Sequence, residues 1–220
     1  MLRGATQNVL EAFHHDLNKG KLKYDHVVLL VESFETRRAR GHALNPSGTV
    51  RNTIRLNSDY LQQYDGDLRR EFAGLLYHES TRVWQNDGKG RAPRGLLTGI
   101  ADYMRLKAGY PAKTWRSRGS GLRWDEGFEV TAYFLEYCDG IRGVGDDFVS
   151  ELNTMMKKQY SDEYFYRLMG RSVGELWVDY VKYFQSGKRE SEYNQHMGNL
   201  AAKKLRGSVK LITFEAAVTY

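Results

Sequence analysis

The chain has 220 residues, 41% of them hydrophobic, enough to bury one sizeable core in a single domain. A formal net charge of +6 favours acidic partners or surfaces, although a solvated basic exterior is the commoner reason for such a charge. The single cysteine, Cys138, excludes an intramolecular disulfide and a cysteine-based metal cluster, and the longest aliphatic run, Val27 to Val31, is far too short to span a membrane.

Taken in order, the first helix is predicted over Gly4 to Leu17, with Val9, Leu10, Phe13 and Leu17 on one face. The same stretch lacks the apolar core of a signal peptide. Val27 to Glu32 reads as a buried strand, and Glu35 to Gly48 as a polar, basic loop. Within that loop Arg37, Arg38 and Arg40 are either a solvated cluster or a patch for phosphate, sulfate or acidic glycan. Thr53 to Asn57 alternates and reads as a half-buried strand.

From there the pattern is helical. Asp67 to Gln85 carries Leu68, Phe72, Leu75, Leu76 and Val83 mostly on one stripe, and NDGKGRAPRG breaks it. Leu96 to Lys107 buries Leu97, Ile100, Ala101 and Met104, with Gly109 closing it. Further helices are predicted over Glu126 to Tyr137 and Asp147 to Lys158. Ser161 caps a fifth, and Ser172 with Glu175 forms a capping box for a sixth ending near Phe184. Trp177, Tyr180, Tyr183 and Phe184 have the spacing of a packed helix face. Trp115 and Trp124 flank a Gly/Ser/Arg-rich loop and either line a cleft or pack. Cys138 has no nucleophile signature and reads as a small buried residue. Beyond Gln185 the character shifts: SGKRESE is a linker or helix start, Lys203, Lys204, Arg206 and Lys210 are basic, and VKLITFEAAVTY is a strand candidate.

The chemistry concentrates in LLYHESTRVWQ, Leu75 to Gln85. In the zincin motif H-E-x-x-H, two histidines four residues apart share a helical face and clamp a metal, and the glutamate serves as general base. His78 and Glu79 match. Arg82 stands where the second histidine belongs, and a permanently cationic guanidinium cannot ligate Zn²⁺. Sixteen residues on, the next helix carries Thr98-Gly-Ile-Ala-Asp102. In gluzincins a glutamate at the place of Thr98 is the third ligand, and an aspartate at the place of Asp102 orients the first histidine.

With these residues in view, the sequence resembles the plant basic secretory proteins, also described as peptidases of plants and bacteria. LLYHESTRVWQNDGKGRAPRGLLTGIADYMRLKAGY, LRWDEGFEVTAYFLEYCD and FVSELNTMMKKQYSDEYFYRLMGRSVGELWVDYVKYF carry the resemblance, in the family's order and spacing, over about Ala5 to Phe184. The family pattern reads H-E-x-T-H-V-W-Q, then G-L-I-E-G-I-A-D-Y, then R-W-D-x-G-Y. His78, Glu79, Trp84, Gln85, Asp102, Trp124 and Asp125 match it. The second histidine is replaced by Arg82, the glutamate ligand by Thr98, and the tyrosine of W-D-x-G-Y by Phe128, which removes a hydroxyl.

The resemblance implies an α+β fold: a zincin-like metallopeptidase domain over residues 1–184, with a small N-terminal sheet and a mostly helical C-terminal part. Residues 185–220 form an extension outside the match. The cleft is expected between the His78 helix and the Thr98–Asp102 helix, lined by Thr53 to Asn57 as an edge strand and by Trp84, Trp124 and Asp125. Zinc is the family's cofactor, yet none is expected with this ligand set. Arg82 is expected to replace zinc as an internal cation, paired with Glu79 or Asp102. The leading expectation is a non-hydrolytic family member linked to plant defence, with Glu79 a vestigial base. The alternatives are a metal-free enzyme using Glu79 as base with Arg82 as anion-binding group, and an active peptidase with an unusual ligand set. The expected partners are a peptide or protein in the cleft, or acidic surfaces and glycans, with nucleic acid the least favoured. The resemblance implies an extracellular protein; the missing signal peptide makes intracellular retention the alternative.

Overall fold

A computed structural model describes residues 1–14, 22–34, 47–142 and 147–185. The clusters Arg37–Arg38–Arg40 and Lys203–Lys204–Arg206–Lys210, and the strand predicted in VKLITFEAAVTY, lie outside the described residues. Within them the fold is α+β, a three-stranded sheet followed by a mostly helical body. The elements are α1 (Leu2–Ala12), β1 (Val28–Glu32), β2 (Ser47–Val50), β3 (Thr53–Asn57), α2 (Ser58–Gln63), α3 (Leu68–Trp84), α4 (Arg94–Lys107), α5 (Phe128–Arg142), α6 (Phe148–Met155), α7 (Glu163–Met169) and α8 (Val173–Gln185).

The sheet order is β1-β3-β2, with β1 parallel and β2 antiparallel to β3. This corrects two expectations. Thr53–Asn57 is the central strand, as its fully buried Ile54 and Leu56 require. The strand beside α3 at the sheet's edge is β2, which falls across the end of the predicted loop. Likewise β1 is an edge strand, and Leu30 and Val31 are exposed where burial was expected. A tight turn at Arg51 and Asn52, with Arg51 at φ +55°, joins β2 to β3.

The helices start where local chemistry tells them to. Asp67 accepts a hydrogen bond from Arg70 N–H and caps α3, and the Ser172–Glu175 box caps α8 reciprocally. The core is aromatic at its centre: Phe134 of α5 packs against Phe165, Trp177, Tyr180 and Trp124. Burial pushes the Cys138 thiol well above its ordinary range, in keeping with an inert packed residue. Helices α4 and α5 approach closely because Gly95 and Gly99 have no Cβ. One at Gly95 would lie 1.8 Å from the Asp125 carbonyl oxygen, and one at Gly99 would lie 2.3 Å from Thr131 Cγ2.

Candidate functional site

Helices α3 and α4 run antiparallel, and the contacts along them fix their register. Near the start of α3, Arg105 Nη2 donates to Glu71 Oε2 at 2.6 Å; midway, His78 Nδ1 and Asp102 Oδ1 are 2.6 Å apart. One further turn along each helix, about 6 Å, brings Arg82 level with Thr98. By this register His78, Arg82, Thr98 and Asp102 line up along the α3–α4 pair.

Asp102 is buried, and its carboxylate holds the His78 ring. Burial works against a charged imidazole, but the charge and hydrogen bond of Asp102, with the charge of Glu79, outweigh it and raise His78 above its ordinary value of 6.5. The bond occupies Nδ1 and leaves Nε2 as the second ring nitrogen.

Glu79 is also buried, but it faces the sheet. Ser47 Oγ donates to its Oε1 at 2.6 Å, and Thr49 Oγ1 donates to its Oε2 at 2.5 Å. Ser47 and Thr49 are two apart on β2, so their side chains project from one face of the strand. Both went unnoticed in the sequence. The signal was there as two hydroxyl residues at period two, but only the placement of β2 against α3 gives it meaning.

Arg82 is half-buried, and its Nη1 is buried with no hydrogen-bond partner. The expected ion pair with Glu79 or Asp102 is not made among the described residues, because hydroxyls hold one carboxylate and His78 holds the other. Burial disfavours the Arg82 charge, Glu79 favours it, Arg94 disfavours it and Asp87 favours it, and the balance lowers its pKa from the ordinary value. Thr98 turns its hydroxyl onto its own helix, 3.2 Å from the Arg94 carbonyl and 3.1 Å from that of Gly95, and accepts from Phe128 N–H at 3.4 Å. Phe128 is 56% exposed and sits at φ +48°, directly after Gly127 at φ +100°. A left-handed backbone at a bulky residue is uncommon, and here it stands beside the site.

Of the other expected cleft residues, Trp84 and Trp124 pack into the core, whereas the Asp125 backbone lies against Gly95 at the start of α4. Trp84 is buried in the core against Tyr24, and it walls a cavity of about 480 Å³ beneath α1 together with Thr6, Leu10 and Leu22. None of that cavity's other walls belongs to the His78 seam. Trp124 packs on Phe134 and Phe165, and Trp115 packs edge-on against Tyr133. Asp125 is clamped by Arg123 through both carboxylate oxygens, at 2.9 and 2.7 Å.

These residues do not fit a zinc ion. At the three ligand places stand one imidazole, one cation that only donates, and one neutral hydroxyl engaged by backbone. Among the described residues no group of three or more His, Cys, Asp or Glu side chains is placed to hold a metal.

Helices α3 and α4 thus carry His78, Arg82, Thr98 and Asp102, with the Asp102 carboxylate holding the His78 ring. Over residues 1–180 the chain matches the family described as BSP, peptidase of plants and bacteria, and it belongs to that family. No curated protein and no solved structure matches it. No helix among the described residues is long and apolar enough to cross a membrane.

Proposed function

We propose that this chain is a pseudo-metallopeptidase: a family domain of zincin-like fold over residues 1–184 that keeps the cleft for binding and does not hydrolyse peptides. One observation carries the reading. A guanidinium stands at the place of the family's second metal-binding histidine, half-buried and with its Nη1 unpartnered among the described residues, where it repels a divalent cation. Thr98 supports it, because its hydroxyl is directed to backbone carbonyls in place of a carboxylate directed at a metal. A role in plant defence and an extracellular location belong to this proposal through the family alone. A metal-free hydrolase using Glu79 is disfavoured, since both carboxylate oxygens accept hydroxyl bonds that a general base would have to surrender.

The test is the zinc content of the purified protein after dialysis against trace Zn²⁺, measured by metal mass spectrometry beside the Arg82→His/Thr98→Glu double variant. The wild type is expected to be empty, and the variant to hold one zinc. Stoichiometric zinc in the wild type overturns the proposal and restores a working peptidase.

A further inference from the structure

We propose that the α3–α4 seam is an oxyanion site, with Arg82 as its anchor and Arg94 at its mouth, taking a carboxylate or a phosphate-type group. The inference rests on the preceding reading that zinc is absent from the cleft.

Arg82 is the starting point. A buried guanidinium N–H without a partner is costly, and of the six buried side-chain atoms left without one among the described residues only Arg82 Nη1 belongs to a charged group. The two carboxylates nearest in sequence logic cannot relieve it. Glu79 is fixed to β2 by Ser47 and Thr49, and Asp102 is fixed to His78. For Arg82 to recruit either, two short hydrogen bonds or one charge-assisted bond would have to break.

The surroundings of Arg82 are mixed in charge. Thr98, level with Arg82 across the seam, is neutral and directs its hydroxyl away to backbone, so it contributes no negative charge. Arg94, in the first turn of α4 and exposed, lies close enough for its charge to act on Arg82. Glu79 and Asp87 act on Arg82 in the opposite sense, and Glu79 more strongly than Arg94, but neither carboxylate reaches the buried Nη1, which has no hydrogen-bond partner among the described residues. Two like charges held near each other, one of them partly desolvated, are relieved by an anion between them. The guanidinium fork suits a carboxylate or phosphate, which can accept two parallel N–H bonds.

The ligand class is thereby the inverse of the family's. Where a cation would join two histidines and a carboxylate, this chain offers fixed positive charge to an incoming oxyanion. A carboxylate on a peptide and a free phosphate share that chemistry, and the test separates them.

The full chain is first assayed for metal, and thermal unfolding is then followed against sodium acetate or sodium phosphate, with ionic strength held constant by chloride. Wild type is expected to show a saturable rise in melting temperature. A response to acetate alone assigns a carboxylate, and a response to phosphate alone assigns a phosphate-type group. Arg82→Met is expected to start at a higher melting temperature than wild type, because the unpaired charge is gone, and to show no saturable rise. Arg94→Met is expected to retain the rise with affinity about tenfold weaker. Lys158→Met, an exposed control, keeps the wild-type response. Zinc in the wild type defeats the reading beneath the inference. Zinc-free protein with a flat response, or an Arg82→Met variant that responds like wild type, defeats the inference alone.

Discussion

Two arginines sit in the same helix–helix seam, and they are treated in opposite ways. Arg105 is almost wholly buried, yet every direction it faces is answered: Glu71 at 2.6 Å, the Tyr110 carbonyl at 2.7 Å and the Trp115 ring beneath it. Tyr60 completes the cluster by donating to the other Glu71 oxygen, and burial pushes its phenol well up in pKa. Arg82, toward the other end of α3, has a buried Nη1 with no hydrogen-bond partner among the described residues. A buried cation with a full set of partners belongs to the architecture. One with a buried nitrogen unpartnered among the described residues is held at a cost to stability that Arg105 does not carry.

The sharpest way to break that contrast is to make Arg105 resemble Arg82. Glu71→Gln strands a buried guanidinium and is expected to cost on the order of 3 kcal/mol in urea unfolding. That is opposite in sign to the effect of Arg82→Met. If the two substitutions shift stability in the same direction, the distinction between the arginines fails. Gly74→Ala probes the space allotted to Arg105. The added methyl would lie 2.5 Å from Arg105 Nε, on a side chain pinned by its bonds, and is expected to cost about 1–3 kcal/mol. A neutral outcome would mean the Arg105 cluster is looser than its distances suggest.

The smallest effect concerns His78, between the two arginines. Its raised pKa means the folded state holds the proton more tightly than the unfolded chain. The resulting stability is fully present below the ordinary value of 6.5 and fades as pH rises through the folded value. Asp102→Asn removes the partner that raises it. Nuclear magnetic resonance titration of the ring protons should show the His78 midpoint lower in the variant, and an unchanged midpoint would remove Asp102 as the cause.

Much of the scaffold was legible in the residues. Asp67 and the Ser172–Glu175 pair announced two helix starts, and Thr53–Asn57 announced its strand through alternation. Asp102 could be tied to His78 because helical spacing and the family pattern agree. What stayed hidden depends on contacts distant in sequence. SGTV carries a glycine and little apolar pattern, so β2 merged with the loop before it. Without β2 nothing in the sequence ties Glu79 to Ser47 and Thr49, and spacing alone points Glu79 at Arg82. The i,i+3 spacing of Glu79 and Arg82 is real, but proximity decides nothing when a competing donor reaches the acceptor first. Trp84 was misplaced for a related reason: adjacency to the motif in sequence says little about which side of α3 it occupies.

Glu79 has one more consequence, for how the molecule opens. Its carboxylate fastens an edge strand of four residues to the middle of a seventeen-residue helix through two hydroxyls. Edge strands ordinarily fray at little cost, and their amides exchange with solvent long before the core does. Here β2 cannot lift away without uncovering a buried carboxylate, so its backbone amides should exchange in step with those of central α3, as one cooperative unit.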